Sequence, residues 1–128
     1  MDKYRFEFLA NQIFQAALEV HKILGPGLLE SVYEIAMVKE FRLRDIFIEY
    51  QVKVPLFYKG HNTGKEFFLD ILVENEIIIE IKASEALHPV YEAQLLSYLK
   101  LANKRLGFLI NFNVPMIKYG VKRMVNNY

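Results

Sequence analysis

The chain has 128 residues, a formal net charge of +1, 53% hydrophobic and 14% aromatic side chains, and no cysteine. This is enough chain for one self-sufficient core and short for two, so a single domain over residues 1–128 is expected. Disulfides, thiolate metal sites and a cysteine nucleophile are excluded, and the charge excludes a globally basic nucleic-acid surface.

From Tyr4 to Leu24, apolar residues at Phe6, Leu9, Ile13, Ala16, Ala17, Val20 and Leu24 follow helical spacing. Gly25-Pro26-Gly27 breaks the chain, and a second helix is predicted from about Leu28 to Arg44, with Val32, Ile35, Ala36, Val38 (or Lys39) and Leu43 as its inner stripe. Ile46 to Tyr58 alternates as a strand, with Pro55 pointing to an edge or a bulge. Lys59 to Gly64 has turn chemistry, and Glu66–Val73 and Ile77–Lys82 make a hairpin. The last of these strands is nearly all apolar, as a central strand covered on both faces would be. A helix is predicted from Pro89 to about Asn103, packing through Ala93, Leu96, Leu99 and Leu101. A buried strand follows at Arg105–Asn111, and a last short strand at Lys118–Val125. The order ααβββαβ plus a short C-terminal element describes an α/β (α+β) domain on a mixed sheet flanked by helices.

Glu80 and Lys82 interrupt the apolar third strand and, two apart, project to one face. Asp70 interrupts the neighbouring strand in the same way. Charged side chains inside a covered sheet are costly unless paired or metal-bound. Two carboxylates are hard oxygen ligands suited to Mg²⁺, and a nearby lysine can stabilise charge on a reacting phosphate. The alternative is a buried ion pair of Lys82 with Asp70 or Glu80. The metal reading needs Asp70 opposite Glu80, which a two-residue loop forbids and a three-residue loop, Glu74-Asn75-Glu76, allows; Asn75 or Glu76 is then expected at positive φ.

Gln94 and Tyr98 share one helix face and could reach the Lys82 end of the sheet; hydrogen-bonded structure is the alternative. The early helix contributes Glu30, Tyr33 and Glu34; Glu30 shares a face with Tyr33, although a carboxylate in the first helical turn is sufficiently explained by the helix dipole. His21, His61 and His88 have no metal spacing and are expected at the surface or in caps. The last acidic residue is Glu92, so Lys100, Lys104, Arg105, Lys118, Lys122 and Arg123 form the expected basic region, or simply a solvated basic face. No apolar stretch reaches the roughly 18 residues of a membrane span, and Met1-Asp2-Lys3-Tyr4-Arg5 lacks a signal-peptide layout, so a cytoplasmic protein without membrane contact is expected.

Gly27-Leu28-Leu29-Glu30-Ser31-Val32-Tyr33 resembles the motif of the GxxExxY protein family, which is assigned to the PD-(D/E)XK nuclease superfamily. Leu24-Gly25-Pro26-Gly27, the Asp70 strand, Glu80-Ile81-Lys82-Ala83, Ala93-Gln94-Leu95-Leu96-Ser97-Tyr98 and Leu109-Ile110-Asn111-Phe112 resemble family blocks in order, from about residue 10 to 126. The resemblance implies a restriction-endonuclease-like core and roles for individual residues. Asp70 and Glu80 match the metal-binding acids, Lys82 the catalytic lysine, and Glu30 a helix carboxylate that holds metal or a bridging water. Gln94 and Tyr98 match the QxxxY element of the RecB-like branch. The superfamily's eponymous proline is absent, since Leu69 precedes Asp70. The implied activity is Mg²⁺-dependent hydrolysis of nucleic-acid phosphodiesters, with Mn²⁺ as a substitute and DNA favoured over RNA. A homodimer is expected, because a small domain needs a second copy to cover a duplex backbone. The competing hypothesis is a non-catalytic nucleic-acid- or protein-interaction module that retains the nuclease fold.

Overall fold

A computed structural model describes all residues, 1–128. Helix α1 spans Lys3–Leu24, and the Asp2 carboxylate caps it by accepting the Arg5 N–H at 2.9 Å. Its buried stripe is Phe6, Leu9, Ile13, Ala16, Ala17 and Val20, as the spacing requires. The chain then turns through Gly25 (φ 69°) and Gly27 (φ 97°), left-handed positions where a side chain would be strained.

Helix α2 spans Glu30–Leu43. Its inner face is Tyr33, Met37, Val38 and Phe41, a correction to the predicted stripe: Val32 and Leu43 are exposed, and Ile35 is 71% exposed. Apolar residues occupy two sides of this helix, and the side carrying the larger aromatic payload goes inside. Tyr33 also has a fixed task. Its hydroxyl donates to the Gly25 carbonyl at 2.5 Å and accepts the Leu28 N–H at 3.1 Å, while its ring stacks on Phe112 at 4.5 Å. The motif tyrosine is therefore a lock on the interhelical corner. Tyr33→Phe is expected to cost about 1–2 kcal/mol in urea melts with helix content unchanged, because both partners lose their bond; an unchanged midpoint would show that water replaces the hydroxyl.

The strands are β1 (Ile48–Tyr58), β2 (His61–Val73), β3 (Ile77–Lys82), β4 (Leu106–Asn111) and β5 (Val121–Val125), in sheet order β1-β2-β3-β4-β5. Only β3 and β4 run parallel, joined by helix α3 (Pro89–Leu101), whose first turn is capped by His88. A 3-10 turn at Ile117–Tyr119 precedes β5. The order is the predicted one, on a mixed sheet. β1 is an edge strand, and its register shifts between Pro55 and Phe57. The predicted turn at Lys59–Gly64 contracts to Lys59-Gly60, because Tyr58 pairs with His61 and β2 starts there.

The β2–β3 hairpin pairs Val73 with Ile77 and Ile71 with Ile79, so its loop has the three residues Glu74-Asn75-Glu76. Positive φ falls on Glu74 (51°) and Asn75 (59°), not on Glu76. The Glu76 N–H closes a turn onto Val73 O at 2.9 Å, so the two central residues carry the left-handed backbone and Glu76 is the extra one.

Helices α1 and α2 cover one face of the sheet and α3 the other. Ile77, Ile79 and Ile81 face a cluster of 22 buried residues; Ile78 faces a cluster of only six, beneath α3. Glu80 and Lys82 follow Ile78 on this thinner side. Helix α3 seats itself through Leu95 and Leu99, whereas the predicted contacts Ala93 and Leu101 are exposed. The reason lies across the interface: a Cβ on Gly107 would stand 3.1 Å from Leu95 and 3.3 Å from Leu99, so the missing side chain sets where the helix rests. No helix is long and apolar enough to cross a membrane.

Candidate active site

The β2–β3 ladder stops at Ile71 and Ile79. One step further, side chains replace backbone partners: the Asp70 N–H donates to Glu80 Oε2 at 2.9 Å, and the Ile81 N–H donates to Asp70 Oδ2 at 2.8 Å. The two carboxylates thus sit at a fork where β2 leaves β3 and continues with β1 as a two-stranded ribbon. Side-chain alternation breaks at the same point. Ile71 packs in the larger cluster, but Leu69 and Leu72 both pack in the smaller one. Opposite Asp70, Gln51 has φ 50° and drops out of the β1–β2 register. Gln51 Nε2 donates to Glu34 Oε1 at 2.8 Å and, in a longer contact, to Asp70 Oδ1 at 3.4 Å.

Glu80 is 4% exposed. Burial, and then the charge of Asp70, push its carboxyl up to about 8, against smaller opposing effects of the Asp70 N–H and Lys82. Burial also raises Asp70, partly offset by the Ile81 N–H, Lys82 and Gln51. Glu34 is raised by burial first, with Asp70 and Glu30 adding to the effect. Three neighbouring carboxyl groups with raised proton affinity mark a region short of positive charge.

Lys82 supplies less than full compensation. It makes no ion pair with Asp70 or Glu80, which sets aside the buried-ion-pair alternative. Its ammonium lies 4.7 Å from the centroid of the Tyr91 ring, held by a cation–π contact that leaves the charge available. Tyr98 stacks on Phe67 at 4.3 Å, and its hydroxyl is raised by burial, then by Glu80 and Asp70.

Asp70, Glu80, Lys82 and Tyr98 are therefore brought together. Gln94 is exposed, one turn of α3 away from Tyr98, and its side chain makes no hydrogen bond. Glu30 is exposed on the rim of a hollow shared with Ala83, and the carboxylate that α2 sends toward Asp70 is Glu34. The sequence offers Glu34 beside Glu30 and Asn111 within a family block but gives neither a role, and it does not single out Gln51 or Tyr91. Glu34 was detectable as the residue four beyond Glu30 on the same helix face. Gln51 looked like one more outward polar residue on an alternating strand; only its backbone angle marks it. Asn111, 2% exposed, accepts the Ser84 N–H at 3.2 Å and donates to Ser84 O at 3.0 Å, fixing the loop that leaves Lys82.

No three acidic or histidine side chains converge on one point. The Asp70–Glu80 pair nevertheless suits a hard divalent cation. One oxygen of each carboxylate is spent on a backbone N–H, leaving Glu80 Oε1 and the weakly engaged Asp70 Oδ1. No fully buried side-chain polar atom lacks a partner, so Glu80 Oε1 keeps an opening. An ion that takes few protein oxygens and retains its waters fits such a donor set.

The expected basic region does not form one free patch. Arg123 is held by Glu7 at 3.0 and 2.6 Å, Lys122 pairs with Glu92 at 3.5 Å, and Lys104 donates to Asn75 O at 2.8 Å.

The sequence profile of the PD-(D/E)XK nuclease superfamily matches residues 7–124. The chain belongs to this superfamily. No curated protein and no solved structure matches it. PD-(D/E)XK nucleases generally use divalent metals and act on nucleic acid, in keeping with the donor set at the β2–β3 fork. The five-stranded mixed sheet with three helices agrees with the PD-(D/E)XK fold.

Proposed function

We propose that the protein is a Mg²⁺-dependent nuclease that hydrolyses nucleic-acid phosphodiester bonds, DNA in preference to RNA, with Asp70, Glu80 and Lys82 at its centre. The observation that carries this reading is the pair of buried, mutually repelling carboxylates beside a lysine that neither of them neutralises. Asp70 and Glu80 would hold the ion, and Glu30, which the family motif also suggests as a ligand, would take part only through Glu34 or a water. When bound, a divalent cation supplies Lewis-acid activation of the phosphoryl group and of the attacking water. Lys82 directs its charge at the phosphate, where it stabilises the negative charge that grows in the transition state. Tyr91 holds the Lys82 side chain, and Tyr98 with Phe67 walls the site beneath α3. Gln51 orients Asp70 and Glu34. Gln94, at the surface, would meet the substrate backbone rather than the reacting atoms.

The test is incubation with Mn²⁺ or Mg²⁺ and single-stranded, duplex and branched DNA and RNA, beside Asp70→Ala and Lys82→Ala. Cleavage by the wild type is expected to fall about 100-fold or more in both variants, as when a charge-stabilising group is removed. Metal bound through Asp70 with no cleavage of any substrate would instead favour the non-catalytic module. Sizing the protein with and without a duplex checks the expected homodimer.

A further inference from the structure

Glu34 and Gln51 have a second side. Together with Ile35, Lys39, Arg42 and Tyr50 they line a cleft of about 410 Å³ between α2 and β1. It adjoins the carboxylate fork through Gln51, which lines the cleft and bonds both Glu34 and Asp70. Its composition changes along its length. The end near the fork is acidic; eight residues further along α2, roughly 12 Å at the helical rise, stands Arg42. Neither Arg42 nor Lys39 forms an ion pair. The Arg42 guanidinium lies 6.0 Å from the centroid of the Tyr50 ring, and Tyr50 is 55% exposed. Ile35 is 71% exposed on the same wall. Two cations without a carboxylate partner, beside an exposed aromatic and an aliphatic side chain in a cleft that adjoins a site for phosphate chemistry, match a strand of unpaired nucleotides: phosphates for the cations and a base for the ring. A base inside a duplex has both faces stacked and cannot use Tyr50.

We propose that the α2–β1 cleft binds single-stranded nucleic acid and feeds it to the carboxylate fork, with Lys39 and Arg42 on phosphates and Tyr50 stacked on a base. This rests on the nuclease reading and deepens it, by making single strands, overhangs or frayed ends the preferred substrate.

The experiment is fluorescence anisotropy of a labelled oligo-dT and of a duplex of equal length, in EDTA across a salt series. It uses wild type, Tyr50→Ala, Lys39→Ala/Arg42→Ala, and Lys100→Ala as a control on α3. The wild type is expected to bind the single strand more tightly than the duplex. Tyr50→Ala should weaken single-strand binding about tenfold with little change on duplex. The Lys39/Arg42 double variant should reduce the slope of log K against log salt by about 1.4, and Lys100→Ala should behave as wild type. All four positions are exposed, and equal thermal melts exclude misfolding as the cause. Wild-type affinity in the cleft variants, or a loss equalled by Lys100→Ala, overturns the cleft. If those variants bind normally while cleavage still depends on Asp70 and Lys82, the cleft alone fails; if the wild type neither binds nor cuts any oligonucleotide, the nuclease reading fails with it.

Discussion

Glu80→Gln is expected to stabilise the metal-free protein at pH 8 by on the order of a few kcal/mol and to remove its response to divalent metal. The carboxyl of Glu80 is raised from an ordinary 4.5 to about 8, first by burial and then by Asp70. Between those values the folded chain holds a proton that the unfolded chain has lost, so stability falls as pH rises through the window and stays reduced above it. Glutamine does not ionise, and its amide oxygen still accepts the Asp70 N–H. The two proteins should therefore have equal stability near pH 4.5 and diverge up to pH 8. Asp70, also raised by burial, adds to the slope in both. Glu7 does not interfere: the hydrogen bond from Arg123 lowers it to about 2, so the stability it contributes is present above 4.5 and is lost only as pH falls toward 2. Melts in EDTA at pH 5, 6, 7 and 8 read the divergence, and parallel curves would refute it. Added Mg²⁺ should stabilise the wild type, more at pH 8 than at pH 6 because the ion must displace the proton, and should leave Glu80→Gln unmoved.

Gly120→Ala should cost about 3 kcal/mol or more, a loss of roughly 10 °C in Tm, although the site lies outside the acidic centre. The backbone angle is not the reason, since φ is −100°. The obstacle is space: a Cβ there would stand 2.0 Å from the Asn111 carbonyl oxygen and 3.0 Å from Val114 Cγ2. The oxygen belongs to the backbone and cannot swing aside. Relief requires parting the chain where the Asn111 N–H donates to Gly120 O at 2.8 Å. Asn111 is also the residue whose side chain clasps Ser84, so the damage should reach the loop after Lys82. Thermal melts together with Mn²⁺-dependent cleavage measure both effects. A variant within about 2 °C of wild type would show that β4 and the 3-10 turn can separate at little cost.

The element order and the pairing of Asp70 with Glu80 were legible because they depend on local periodicity and loop length. Charges that interrupt apolar strands stand out in a linear reading, and a three-residue loop leaves the hairpin one register that serves them. Lys82 was legible for the same reason, being two residues beyond Glu80 on one strand.

Helix faces with apolar residues on two sides were not legible, since packing chooses between them. Tyr33, Met37 and Phe41 went inside and left Ile35 on the wall of a cleft; Leu95, rather than Ala93 or Leu101, joined the expected Leu99 inside because Gly107 lies across from them. Nor did the sequence distinguish Glu30 from Glu34, which differ by one helical turn. That choice was made by Gln51, which departs from its strand opposite Asp70 and ties the nearer carboxylate to it. By itself the sequence determined which residues bring charge into the sheet and in what order the strands carry them. Tertiary structure alone decided which further groups meet those charges and that Lys82 leaves them unneutralised, because burial, backbone angle and distance arise only when separate elements pack together.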